Sequence, residues 1–240
     1  MTDHKTILRD FVSVFKNWLS AHYSPQEIDD LRIDDAGYPE WRPIEKYFSS
    51  LITGGEMHQL DDEDLAHLLY LIARHWDCGR MIAWLSNAPA LSNIGDLSVS
   101  DFMILASAAS KLSGTEYYDA KCQFAACFEK KFDTLTPEIE NILLEFYHSN
   151  DEYTKRISLS ALAKLGYPAI RVLLRQSWET VDEEYHKIGC LYAIDEYVKD
   201  PVLLKEYLVL AAAEPGDELK KYVIRLIIMS DTKKERYYKW

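Results

Sequence analysis

Seven histidines and four cysteines carry most of the chemistry open to this 240-residue chain. Glu63 and His67 stand four apart, on one face of a helix, but no second histidine stands at metal-ligand spacing. The pair reads as a surface ion pair. Cys78 follows His75 by three residues in the segment HWDCG, where a cysteine and a histidine could act as nucleophile and base. The apolar stripe of Leu69, Ile72 and Trp76 makes this segment the packed end of a helix instead. Cys78, Cys122, Cys127 and Cys190 form no metal pair and no compact disulfide framework, so they read as reduced, mostly buried thiols. No GxSxG, Walker-type or GxGxxG motif occurs. The adjacent acids Asp61/Asp62 and Glu183/Glu184 diverge on a helix, which suits helix starts rather than acid–base pairs. The expectation is no catalytic residue, no metal and no cofactor.

The acids have a second use, as an electrostatic surface. The chain carries 27 Lys and Arg against 39 Asp and Glu, a net charge of −12. All of it belongs to residues 1–150, and −9 of it to residues 27–64, with Asp29, Asp30, Asp34, Asp35 and the run Asp61, Asp62, Glu63, Asp64. Such a patch suits a cationic partner protein. It argues against a nucleic-acid binder and against a protein held to anionic lipid. No apolar run is long enough to span a membrane, and the first residues lack the apolar core of a signal peptide, so the reading is cytoplasmic.

Helices must position these residues, because apolar residues recur at helical spacing nearly everywhere and strand-like alternation is absent. Ile7, Phe11, Phe15, Trp18 and Leu19 form the first stripe. A short acidic helix follows Pro25, a loop spans 33–43, and Gly54-Gly55 ends the helix that starts at Trp41. Another short helix runs through Met81, Ile82 and Leu85. Residues 86–97 are small and Pro- and Gly-containing, the best candidate boundary. That divides the chain into an acidic, irregular helical part (1–95) and a more regular part (96–240), packed as one continuous unit.

The regular part contains a repeat. DEYTK begins at Asp151, EEYHK at Glu183 and DELKK at Asp217, spaced 32 and 34 residues apart, and each opens a helix. Shorter helices lie between them, at 168–178 and 201–212. Two helices per 32–34 residues make a helical-hairpin repeat that must stack on its neighbours. The first copy, DEYTKRISLSALAKLGYPAIRVLLRQ, resembles a HEAT-like repeat, with Arg156, Ala161 and Leu162 and the Gly-Tyr-Pro turn in the family's places. The later copies depart from it: Gly189 replaces an apolar residue, and the third lacks the alanine. The resemblance implies an all-α chain built as a right-handed α-solenoid of stacked antiparallel hairpins. Tyr153 and Tyr185 recur at one repeat position and would form a ladder along one ridge, a common binding edge in repeat proteins.

These features point to a non-catalytic protein-binding module. A small, acidic, all-α chain is similar to bacterial immunity proteins, which neutralise a toxin, here a basic one. Two alternatives stay open: a HEAT-like DNA-repair glycosylase, given Arg156, Arg171, Arg175 and Arg225, or a scaffold or regulatory subunit.

Overall fold

The computed structural model describes residues 3–30, 37–75 and 97–237, and the side chains of all but 29, 30 and 229–237. The expected helix around Met81 and the proposed boundary at 86–97 fall outside these, apart from Leu97. Among the described residues every regular element is helical: α1 (His4–His22), α2 (Pro25–Asp30), α3 (Trp41–Gly54), α4 (Asp62–Arg74), α5 (Val99–Lys111) and α6 (Tyr118–Lys131). Then follow α7 (Pro137–Tyr147), α8 (Glu152–Lys164), α9 (Ile170–Thr180), α10 (Glu184–Ala193), α11 (Pro201–Ala213) and α12 (Asp217–Tyr237). No helix among the described residues is long and apolar enough to cross a membrane.

The boundaries follow from local chemistry. Asp3, Asp61, Ser98, Thr136, Asp151 and Asp200 each accept backbone N–H groups of the first turn of α1, α4, α5, α7, α8 and α11, donors that would otherwise lack a partner. Pro137 and Pro201 begin α7 and α11, where a missing N–H costs nothing. Gly55 and Gly166 end α3 and α8 at φ of +64° and +78°, a region that disfavours any side chain. The stretch after α10 departs from the expected plain helix. It widens into a π-helical turn over Ile194–Val198, closed by Lys199 at φ +53°.

One apolar core runs from Leu8 in α1 to Leu219 in α12. In the N-terminal part it is aromatic, with Phe15 4.9 Å from Tyr38 and 5.1 Å from Trp41, ring centre to ring centre. Helices α4, α6, α8, α10 and α12 pack each on the next. Helices α5, α7, α9 and α11 pack against them. Successive members of this second set also meet: α5 packs on α7, the Tyr147 hydroxyl lies 2.9 Å from Ser177 Oγ, and Trp178 is 5.1 Å from Tyr207. Helix α8 is closely surrounded, with residues 158–163 all buried, which explains its small side chains Ser158, Ser160, Ala161 and Ala163. Lys121, also buried, donates from Nζ to the carbonyl of Leu112 at the end of α5, and burial lowers its pKa.

Phe102 is fully buried, 5.4 Å from Phe124 and 5.0 Å from Phe128. Phe102→Ala is expected to cost about 3–5 kcal/mol, read as a lower urea midpoint at unchanged slope. Burial pushes the Cys127 and Cys190 thiols up to about 11 and about 12. Among the three cysteines within the described residues, a thiol reagent at neutral pH should therefore modify half-buried Cys122 first and reach Cys127 and Cys190 only on unfolding; Cys78 lies outside the described residues.

Candidate interaction surfaces

The repeat openers locate the first surface. Each of the three begins a helix, α8, α10 and α12. The acid at the second opener position reaches forward to the next copy. Glu152 Oε1 lies 3.3 Å from Nδ1 of His186, a fully buried side chain in the first turn of α10. Glu184 Oε2, 32 residues on, accepts the backbone N–H groups of Glu218 (2.8 Å) and Leu219 (3.1 Å) at the start of α12. Glu184 stands in the first turn of α10, as expected of a helix-start acid, and its carboxylate also caps the following repeat helix.

Glu152 also accepts from Arg156 Nε at 2.8 Å, an i,i+4 pair. That holds the guanidinium 4.9 Å from the Tyr153 ring and 6.0 Å from the Tyr185 ring. The arginine stem lies on α10 over Gly189, where a Cβ would stand 2.6 Å from Arg156 Cγ. Gly189, a departure from the repeat pattern in sequence, is thus the clearance that Arg156 needs. Tyr153 and Tyr185 are 49% and 58% exposed, so the ladder faces solvent rather than packing between hairpins. Sequence reasoning selected the two tyrosines and named Arg156 as a repeat-pattern residue and a possible nucleic-acid contact, but did not place it between them. The spacing Glu152, Tyr153, Arg156 was the available clue, since all three fall on neighbouring helical positions.

Burial is the largest influence on Glu152 and raises its pKa. Contacts from His186 and Arg156 outweigh it, and the net effect holds the carboxyl below its ordinary value of 4.5. A folded-state pKa below the unfolded one stabilises the fold above the ordinary carboxylate range. That contribution disappears as pH falls through the lowered value.

Within the described residues, three of the four acids in the run at 61–64 face solvent and one turns inward. Asp61, Asp62 and Glu63 are exposed at the start of α4. Asp64 is buried: Asp61 and Asp64 form a reciprocal capping box, each side chain accepting the other's backbone N–H. Glu63 pairs with Lys5 Nζ at 2.7 Å rather than with His67, and Asp61 lies 3.6 Å from the same amine. Exposed pairs of this kind contribute little to stability, but they trim the patch's charge. Asp29 and Asp30 belong to α2 with side chains outside the described residues, as are Asp34 and Asp35. The acids of α4 and the tyrosines of α8 and α10 stand on different helices, with α6 between α4 and α8. No group of three or more His, Cys, Asp or Glu among the described residues could hold a metal ion.

A search of protein families, of curated proteins and of solved structures finds no match to this chain.

Glu152→Gln should cost roughly 1.5–3 kcal/mol at neutral pH, the range for hydrogen bonds to charged groups. The gap between wild type and variant should narrow as pH is lowered through the carboxylate range, followed by urea unfolding at each pH.

Proposed function

We propose that this protein is a non-catalytic binding module, a HEAT-like right-handed α-solenoid that grips a basic protein partner. In its sharpest form it is an immunity protein that neutralises a bacterial toxin. The Tyr153–Arg156–Tyr185 rung carries the reading. Two half-exposed aromatic rings flank an arginine whose rotamer is fixed by Glu152 and Gly189. Tyr and Arg are the residue types that most often dominate protein interfaces, and fixing them beforehand reduces the entropy lost on binding. Asp61, Asp62 and Glu63, exposed at the start of α4 and separate from that rung, would steer a cationic partner.

The packing of α4, α6, α8, α10 and α12 in succession supports the solenoid, as does the forward reach of Glu152 and Glu184 from one copy to the next. The glycosylase alternative loses ground. Arg156, Arg171 and Arg175, three of the four arginines that could face phosphates, each sit against a carboxylate: Glu152, Asp200 and Glu179.

Affinity purification from the native host at low salt should recover a stoichiometric, basic partner that is released as salt rises. Tyr153→Ala/Tyr185→Ala should weaken that complex by about thirty-fold or more, from ~2 kcal/mol at a hot spot, with little change in the melting temperature. Co-expression of the recovered protein with and without this chain tests the immunity form directly: growth arrest that this chain relieves supports it, and a harmless partner counts against it. A partner retained equally by the double variant would refute the ridge as the interface.

A further inference from the structure

A groove runs along the outer face of α5, between the start of α4 and α7. One part has a volume of about 590 Å³ and the adjoining part about 550 Å³; both are lined by Ser107, Lys111 and Glu138. Helix α5 packs on α4, α6 and α7, and its inward residues Phe102, Leu105, Ala106 and Ala109 are fully buried. Its outward residues are partly exposed and mostly short or flexible: Met103, Ile104, Ser107 and Ala108. They form the floor, with Leu65 and Ile142 at the sides. The walls carry the carboxylates Asp62, Glu138 and Glu145, all exposed, against the single amine of Lys111.

From Val99 to Lys111 the floor is about 18 Å long at 1.5 Å per residue, the length of a three-turn helix. Small side chains let a second helix approach at close interaxial distance, and methionine adapts to its side chains. The acidic walls decide the charge of the visitor. We infer that this groove receives an amphipathic helix of the partner protein, its apolar stripe on Met103, Ile104 and Ala108 and its flanking lysines or arginines against Asp62, Glu138 and Glu145. This deepens the binding-module reading and rests on it. The mode is helix-in-groove recognition, read by anchors at i, i+3, i+4 and i+7. Opposite charge at the rim sets partner choice and encounter rate.

The probe is a fluorescein-labelled peptide of about 12 residues, with leucine on one face and lysine on the flanking positions. Its counterpart carries glutamate in place of lysine. Fluorescence anisotropy against the full chain should show binding of the lysine peptide alone, weakening as salt rises. Ala108→Trp, which fills the floor, should reduce that affinity by roughly tenfold or more. Glu138→Lys/Glu145→Lys should reverse the preference between the two peptides. Thermal melts check that each variant folds; should Ala108→Trp fail, Ser107→Gln blocks the same floor.

Equal binding of both peptides, no binding of the lysine peptide, or binding unchanged by the floor variants would overturn the groove. So would a self-associated chain that Ala108→Trp turns monomeric, because a second copy would then be the occupant. Binding lost in Tyr153→Ala/Tyr185→Ala but kept in the floor variants would reject the groove and leave the binding-module reading standing. A purified partner that binds neither through the ridge nor through the groove would reject both.

Discussion

The forward reach of one carboxylate per repeat organises the C-terminal half of this protein. Glu152 and Glu184 occupy equivalent positions, and each holds the first turn of the next repeat helix. The two contacts use different chemistry, a buried histidine in one and bare backbone N–H groups in the other. Both satisfy polar groups at a helix start that packing would otherwise strand. Glycine appears where such a side chain must pass: a Cβ on Gly216 would collide with Glu184, as one on Gly189 would with Arg156. Gly189, the departure from the repeat pattern in the second copy, is therefore a position where one copy accommodates its neighbour.

The exposed ridge is a consequence of this interlock. Glu152 serves His186 and Arg156 at once, so the same carboxylate that fixes the start of α10 also fixes the arginine between the tyrosines. The exposed ridge and a contact between helices share one atom, Glu152 Oε1. Rigid aromatic and arginine anchors on a scaffold of short helices suit recognition of a macromolecule, where area and prior organisation matter more than a deep pocket.

Helix positions were legible in the sequence because their starts and stops are local. Thr136-Pro137, Asp200-Pro201, Gly54-Gly55 and the Gly-Tyr-Pro turn each carry a backbone requirement that holds in any tertiary setting. The repeat openers were legible for the same reason. Less accessible was anything that depended on which helices meet. Asp64 belongs to an acidic run, yet it turns inward, because the third residue of a helix sits opposite the cap. Glu184 is a helix-start acid of α10, as read, but its second role as a cap of α12, 34 residues away, was not legible. Arg156 entered as a repeat-pattern residue and one of four candidate basic-patch arginines, and only the approach of α10 placed it between the two tyrosines.

The interlock can be measured without knowing any partner. Native-state hydrogen exchange on Glu184→Gln, compared with wild type, reads the first turn of α12 directly. The account predicts faster exchange confined to Glu218, Leu219 and their neighbours, roughly five-fold for the ~1 kcal/mol that a lost cap costs, with α8 unchanged. Unaltered protection at the start of α12, or an equal loss along the whole chain, would contradict it.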